Sequence, residues 1–137
     1  MTAEEVDAFL SRERVLRLAT VAEDGWPHVV PLWFVWLDGR FHVNNLERSK
    51  RTRLLRAGAK SALTVDAGET YDELRGLSCP VTVRFVDPED TLPARQAFGR
   101  KYLGTDEPMP LMASHTWIEL SPADAIASWD FRKLGQG

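Results

Sequence analysis

Three segments with the character of β-strands follow one another in the first third of the chain, with very little sequence between them. Val15–Val21 leads through Glu23-Asp24-Gly25 into Trp26–Leu37, and Asp38-Gly39 then turns into Arg40–Asn44. Asp-Gly turns between apolar runs are typical of antiparallel hairpins, whereas neighbouring parallel strands need a long crossover. The spacing therefore favours an antiparallel sheet over a parallel one.

The rest of the chain alternates between helices and further strands. Helices are predicted at Thr2–Leu10, where Thr2 and Glu5 form a capping box, at Ser49–Ala57, and in part from Asp87-Pro88 to about Leu103, where Pro93 begins the regular part and Gly104 caps it. Strands are predicted at Ser61–Asp66, Leu74–Val86, Thr116–Leu120 and Ala125–Trp129. The pattern predicts a mainly β fold with short helices, arranged as a small antiparallel barrel. No repeat or break in composition divides residues 1–137, so one domain is expected.

The composition argues against several classes of function. The 137 residues are 44% hydrophobic and 27% charged, as expected of one soluble domain. Twenty acidic against 17 basic residues give a net charge of −3, which argues against general nucleic-acid binding. The single Cys79 allows no intrachain disulfide, and the 3 histidines lie far apart without clustered carboxylates, so no metal site is predicted. Neither a membrane-spanning apolar run nor a basic and apolar leader is found, so no membrane partner is expected and cytoplasm is the default location.

The segment from His28 to Trp36 is apolar on both of its faces. Alternate residues of a strand face opposite sides, and here one side carries His28, Val30, Leu32, Phe34 and Trp36 and the other Val29, Pro31, Trp33 and Val35. In a strand whose outer face is exposed to solvent, apolar residues alternate with polar ones. The outer face of this segment is therefore predicted to be covered by a second subunit, another part of the chain or a flat ligand. The alternative is a strand fully buried in a Trp-rich core. Pro31, which lacks an N–H, predicts a bulge, and a homodimer is expected with Val29, Trp33 and Val35 at or beside the interface.

The most basic part of the chain, Arg48–Arg56, gathers 5 cationic side chains and 2 hydroxyls. Ser49 is predicted to cap a helix whose first turn carries Lys50, Arg51 and Thr52. Backbone N–H groups, the positive end of the helix dipole and the planar fork of an arginine would then converge on one phosphate. The alternative is an ordinary surface helix with its leucines inward and its arginines solvated.

The order of these parts resembles the flavin and deazaflavin oxidoreductases of the pyridoxamine-phosphate-oxidase-like split-barrel superfamily. The resemblance covers nearly the whole chain and rests on Leu18-Ala19-Thr20-Val21, Asp24–Phe34, a short strand ending at Asn44, the helix with Ser49, Arg51 and Thr52, and Ala62-Leu63-Thr64-Val65-Asp66. It implies a homodimer of six-stranded antiparallel split barrels of the FMN-binding type, with cofactor bound in two grooves at the subunit interface.

The resemblance also implies roles for individual residues. The flat ring of the cofactor would lie along Pro31-Leu32-Trp33, Asn44 would lie near the ribityl chain, and the phosphate would be held by Ser49, Lys50, Arg51 and Thr52. Arg51 stands where many members have Lys, which keeps the charge. Leu54 stands where many relatives have Asn, so a polar contact made there is missing.

The function implied by the resemblance is hydride transfer between a deazaflavin or flavin ring and a small conjugated substrate, with the protein fixing distance and orientation. The acidic tail of coenzyme F-420 would meet Lys50, Arg53 and Arg56, which slightly favours F-420 over FMN. Tyr71 and His28 are the weak catalytic candidates, since a tyrosine beside acidic residues is more often a rim residue and a histidine on an apolar face is more often a core residue. The alternatives are an FMN-dependent oxidase or reductase, and a carrier that binds flavin, deazaflavin or haem without turnover.

Overall fold

Three α-helices form within residues 1–136, which are the residues that the computed structural model describes. Helices α1, α2 and α3 cover Ala3–Arg12, Lys50–Arg56 and Leu92–Phe98, and α3 continues as a wider turn over Gly99–Leu103. Thr2 and Glu5 form the predicted capping box, Ser49 caps α2, and Pro93 lies in the first turn of α3. Gly104 ends the last turn with φ 62°, a left-handed conformation that suits glycine. None of these described helices has the length and apolar composition needed to cross a membrane.

Eight strands within the described residues form one antiparallel sheet. They are β1 (Val15–Val21), β2 (Pro27–Trp33), β3 (Val35–Leu37), β4 (Arg40–Leu46), β5 (Ser61–Ala67), β6 (Arg75–Phe85), β7 (His115–Pro122) and β8 (Ala127–Asp130). The hydrogen-bonded order is β2-β1-β5-β6-β7-β4-β3, and β8 pairs with β6. Because β2 also approaches β4, the sheet curls into a partly closed barrel.

The structure confirms a mainly β, antiparallel fold with short helices and corrects three details of the prediction. Eight strands replace the predicted six within residues 1–136. The predicted strand Trp26–Leu37 is divided into β2 and β3, because Phe34 leaves the ladder and hydrogen-bonds to Tyr102. The predicted bulge at Pro31 is wrong, since β1 and β2 pair without interruption and Arg17 lies opposite Pro31. Pro31 is tolerated because β2 lies at the end of the strand order, where a missing N–H need not break a ladder.

Two apolar clusters hold the fold together. The larger joins inward-facing strand residues to the buried side of α1, and includes Phe9, Leu10, Leu16, Leu18, Phe41, Val43, Val65, Leu77, Ile118 and Leu120. In the smaller cluster, Ala94 and Phe98 of α3 pack with Val35 and Trp117. Val35 is 3% exposed. Val35 is therefore already covered by its own chain, and its predicted position at or beside a subunit interface stays a prediction.

One face of β2 stays open in the single chain. Val29 is 59% and Trp33 50% exposed, and Pro31 between them is exposed as well. Val30 and Leu32, which alternate with them, are partly buried against the larger cluster. The strand is therefore not buried on both faces within the chain, and the alternative interpretation is wrong. That another molecule covers the exposed face of β2 stays a prediction.

Candidate functional site

Hydroxyl groups build the start of α2. Ser49 has an extended backbone, and its Oγ accepts the backbone N–H of Thr52 at 3.1 Å. Thr52 is fully buried, and its hydroxyl donates to the carbonyl of Leu46 at 2.8 Å. These bonds fix the first turn of α2 against the end of β4, as side-chain capping predicts. Both hydroxyls already have partners here, and their contact with a phosphate stays a prediction.

The fold orients Arg51 through a buried, uncharged side chain. Its Nε donates to Oδ1 of Asn45 at 2.6 Å, and Asn45 is 0% exposed. Partial burial lowers the pKa of Arg51, but a guanidinium remains protonated in proteins. Among the residues that the structure describes, Nη1 and Nη2 of Arg51 have no hydrogen-bond partner. The guanidinium is thus fixed through Nε and keeps its two terminal nitrogens for another acceptor.

Sequence reasoning missed Asn45 and selected its neighbour Asn44. The strand pattern carries the signal, because Phe41 and Val43 face the core and the alternation then places Asn45 inward and Asn44 outward. Within the described part of the chain, Nδ2 of Asn45 and Oδ1 of Asn44 are buried without a hydrogen-bond partner. Since buried polar atoms are nearly always paired, these two atoms mark the end of β4 as a place where a further polar group is expected.

The other cations of α2 differ in their surroundings. Arg56 donates from Nε and Nη2 to Glu47 at 3.0 and 2.7 Å. Lys50 and Arg53 are exposed and line a groove of about 400 Å³, which the β1–β2 hairpin also lines through Asp24 and its neighbours. Arg56 is therefore neutralised by a carboxylate of its own surface, whereas Lys50 and Arg53 face the groove.

A second groove, of about 680 Å³, begins at the cap of α2. It is lined by residues 46–49 and by Ala113 and Ser114 of the loop before β7. Its volume lies within the range of small-molecule sites, roughly 300 to 1,000 Å³. Ser49 therefore lies at the edge of a space that could hold part of a cofactor or a substrate.

At the end of β2, the indole of Trp33 stacks on the ring of Tyr102. The ring centres are 4.3 Å apart and the planes differ by 12°. Because Trp33 is half exposed, part of its indole remains open to solvent. Pro31 shares this outer face, and Leu32 turns towards the core. The predicted ring-binding stretch thus presents two flat or rigid apolar side chains outward.

Phe34, where β2 ends, hydrogen-bonds to side chains instead of to a strand. Its N–H donates to Oη of Tyr102 at 2.9 Å, and its carbonyl accepts from that hydroxyl at 2.7 Å and from Nζ of Lys101 at 3.1 Å. Lys101 also donates to the carbonyl of Leu10 at 3.2 Å, and Oη of Tyr102 lies 2.6 Å from the carbonyl oxygen of Arg14. Burial raises the pKa of Tyr102 to about 12 and lowers that of Lys101 to about 8. Sequence reasoning missed both residues, which lie 67 and 68 positions from Phe34 and belong to no recognisable motif.

The two weak catalytic candidates are Tyr71, which is exposed at the surface, and His28, which lies on the core side of β2. Tyr71 is 78% exposed in a short 3-10 turn, and His28 is partly buried on the strand face that also carries Val30. His42 and Asn44 share a face of β4, and burial lowers the pKa of His42. The catalytic roles of Tyr71 and His28 stay predictions.

Two further observations concern possible metal ligands and the single thiol. Within residues 1–136, no three His, Cys, Asp or Glu side chains are close enough to hold a metal ion. Cys79 is buried, which raises its pKa to about 11 and keeps the thiol protonated.

The candidate residues therefore form two groups, at the ends of two strands that do not pair with each other. We call the first the Arg51 cluster, which consists of Asn45, Ser49, Arg51 and Thr52. We call the second the Trp33 cluster, which consists of Trp33, Phe34, Lys101 and Tyr102. They lie at the ends of β4 and β2, the two strands that approach each other where the sheet curls closed.

The sequence profile of the pyridoxamine 5'-phosphate oxidase family matches residues 2–128. The chain belongs to this family, which confirms the resemblance seen in the sequence. A search among curated proteins gives no match.

Solved structures share the fold over most of the chain. A conserved hypothetical protein from Mycobacterium tuberculosis superposes with a TM-score of 0.85 at 25% identity, over 98% of this chain and 88% of that one. An FAD-binding protein from Mesorhizobium loti gives a TM-score of 0.73 at 23% identity, over 93% and 94% of the two chains. An F-420 reductase gives 0.69 at 24% identity, over 88% and 94%. At the identities of the last two, the likeness establishes the fold alone.

Proposed function

We propose that this protein binds a flavin-type cofactor, coenzyme F-420 in preference to FMN, and transfers hydride between the cofactor ring and a small conjugated substrate. The observation that carries the proposal is Arg51, whose guanidinium is fixed by the buried Asn45 and keeps Nη1 and Nη2 for an acceptor. A phosphate accepts two parallel, charge-assisted bonds from such a fork. These residues fit a cofactor phosphate.

The Trp33 cluster supports a flat ring beside β2. Pro31 and Trp33 expose rigid apolar surface on one face of the strand, and Tyr102 stacks on Trp33 and holds its indole in one orientation. Planar rings stack favourably on such surfaces in an offset arrangement. The family resemblance implies a ring along the same stretch, so two independent arguments support the same place.

These contacts give the cofactor and the protein separate roles. A bound flavin or deazaflavin supplies the hydride chemistry itself. The chain would bind the phosphate through Arg51 and orient the ring against Trp33, and orientation alone supplies a large part of the rate of such reactions. Tyr71 and His28 remain the candidates for donating a proton to the product.

Lys50 and Arg53 support the preference for F-420. Both line the groove of about 400 Å³ beside α2 together with Glu23 and Asp24, and neither cation forms an ion pair among the described residues. The lactyl-glutamate tail of F-420 carries carboxylates that these cations would attract, and FMN has no counterpart to that tail. Arg56 contributes less than its sequence position indicates, because Glu47 neutralises it.

We further propose that the protein is a homodimer through the outer face of β2. Val29 and Trp33 are exposed there, and Trp26 in the preceding turn is 74% exposed. Apolar side chains exposed close together on one strand and its turn are typical of a subunit interface, which commonly buries about 800 Å² on each partner. A monomer in sedimentation at micromolar concentration would contradict this proposal.

Fluorescence titration of the purified protein with F-420, FMN, riboflavin and haem tests the cofactor proposal. We expect binding of F-420 and FMN, tighter than binding of riboflavin because only the first two carry the phosphate. Saturable haem binding with a Soret band, without binding of the other three, would contradict it.

A second candidate function is a carrier that binds the cofactor without turnover. It is favoured by the state of the two titratable groups of the Trp33 cluster, since Lys101 and Tyr102 are tied to backbone carbonyls and are poorly placed to exchange a proton with a substrate. Reduced cofactor mixed with a panel of quinones, enones and tetrapyrroles separates the two functions. An oxidoreductase oxidises the cofactor with at least one of them, whereas a carrier changes its fluorescence on binding and leaves it reduced.

A further inference from the structure

Asn45 occupies a position where folding alone would favour an apolar residue. It follows Phe41 and Val43 on the inward face of β4 and is 0% exposed. Its Nδ2 has no hydrogen-bond partner among the described residues. A buried donor without a partner costs free energy that a leucine of similar size would avoid. The amide therefore needs an explanation beyond the packing of the core.

The single hydrogen bond found for this amide points to Arg51. Oδ1 accepts from Nε of Arg51 at 2.6 Å, a short, charge-assisted contact. This bond also fixes the orientation of the amide, because the reversed orientation would place two donors against each other. Ser49 and Thr52 make no hydrogen bond to Asn45, so its effect on the helix passes through Arg51.

We propose that Asn45 is a positioning residue for the cofactor phosphate, an inference that rests on the proposed function. By holding Nε, Asn45 directs Nη1 and Nη2 of Arg51 together towards the phosphate, so that the pair binds it as a fork. Helix α2 has only 7 residues, so its dipole is a weak anchor and the placement of the guanidinium matters more. Without Asn45, Arg51 would keep its charge but lose its fixed direction.

A double-mutant cycle on the apo protein tests this role. The affinities for FMN and riboflavin, which differ by the phosphate alone, are measured by fluorescence titration for the wild type, Asn45→Leu, Arg51→Ala and the double variant. We expect Asn45→Leu to weaken FMN binding by about tenfold, the scale of one charge-assisted hydrogen bond, and to change riboflavin binding by less than about twofold. In the Arg51→Ala background, Asn45→Leu should cause no further loss of FMN affinity, since the two residues act as one unit.

Two further variants guard against an effect of folding. Val43→Ala damages the core at the neighbouring inward position of β4 and should lower stability without changing the ratio of FMN to riboflavin affinity. If Asn45→Leu fails to fold by circular dichroism, Asn45→Thr takes its place, since threonine suits a strand and is too short to reach Nε of Arg51.

The outcomes separate this inference from the proposed function. An equal loss of FMN and riboflavin affinity in Asn45→Leu, or a loss that persists in the Arg51→Ala background, would give Asn45 a purely structural role. If Arg51→Ala removes the preference for FMN while Asn45→Leu keeps it, only the inference about Asn45 fails. If the wild type binds FMN no better than riboflavin, the phosphate site itself is wrong and both proposals fail.

Discussion

The Arg51 cluster and the Trp33 cluster are held together by different interactions. In the Arg51 cluster, short hydrogen bonds join residues that lie 3 to 6 positions apart, at one helix start and one strand end. In the Trp33 cluster, stacking and hydrogen bonds join residues that lie 67 to 91 positions apart, and these bonds tie α1, the β2–β3 break and the end of the α3 segment together. A change in the first cluster should therefore affect phosphate binding and only the local contacts of α2 and β4. A change in the second should affect ring binding and the contacts that join distant elements.

The largest effect should come from Arg51→Ala. It removes the guanidinium that is proposed to hold the phosphate, so binding of FMN or F-420 should weaken by about 2 to 4 kcal/mol. Riboflavin affinity should change little, whereas the free energy of unfolding should fall by about 1 to 3 kcal/mol, because the buried Oδ1 of Asn45 loses its partner. Fluorescence titration and urea denaturation measure the two quantities.

Arg51→Lys provides the matched control, since it keeps the charge and loses the planar fork. We expect an intermediate loss of FMN affinity. Unchanged affinity for both FMN and F-420 in Arg51→Ala would show that α2 is an ordinary surface helix.

Tyr102→Phe should show a different pattern of cofactor affinities. The stack on Trp33 remains, but the N–H of Phe34 loses its acceptor, and such an unpaired buried group costs about 1 to 3 kcal/mol of folding stability. Because the Trp33 cluster is proposed to hold the ring and not the phosphate, FMN and riboflavin affinities should fall together. Urea denaturation and the two titrations measure these changes.

Tyr71→Phe is the control for the loss of a hydroxyl, because Tyr71 is 78% exposed and its stability effect should stay within about 0.5 kcal/mol. A loss confined to FMN in Tyr102→Phe would show that the two clusters are not separate units.

The difference between local and distant contacts also explains which features could be predicted from the sequence. The antiparallel strands, the capping box at Thr2 and the Ser49 cap depend on residues close together in the chain, and their patterns predict them correctly. The break of the long second strand at Phe34 depends on a hydrogen bond to Tyr102. No local sequence pattern identifies this pair of residues. Asn45 lies between these cases, since alternation with Val43 places it inward, but its bond to Arg51 requires the position of α2.

Lys101 allows a test of the Trp33 cluster by pH. Burial lowers the pKa of Lys101 to about 8 in the folded protein, from 10.5 for an ordinary lysine. Between these two values the unfolded chain binds more protons than the folded one, so the free energy of unfolding should rise with pH across this window. Lys101→Met removes this contribution. After allowance for screening by solvent, the wild type should gain about 1 to 2 kcal/mol relative to Lys101→Met from pH 7.5 to pH 10.

Urea denaturation of both proteins at the two pH values gives this difference, and the other titrating groups cancel in it. A constant difference between wild type and Lys101→Met would show that the ammonium titrates near its ordinary value. The bonds of Lys101 to the carbonyls of Leu10 and Phe34 would then carry no desolvation cost.

The smallest effect should appear beside the Arg51 cluster, in the choice between F-420 and FMN. The phosphate bonds serve both cofactors, so the preference depends on attraction between the acidic tail of F-420 and exposed cations, which is worth about 1 kcal/mol or less per pair and is screened over about 8 to 10 Å. We expect F-420 to bind more tightly than FMN at low salt, with the difference in affinity closing as ionic strength rises.

Replacing Lys50 and Arg53 together by Gln should shrink this difference in affinity, whereas Arg56→Gln should leave it nearly unchanged, because Arg56 is paired with Glu47. Tighter binding of FMN at low salt would overturn the preference, and an equal effect of Arg56→Gln would show that the cations act through net charge and not through their position at the groove.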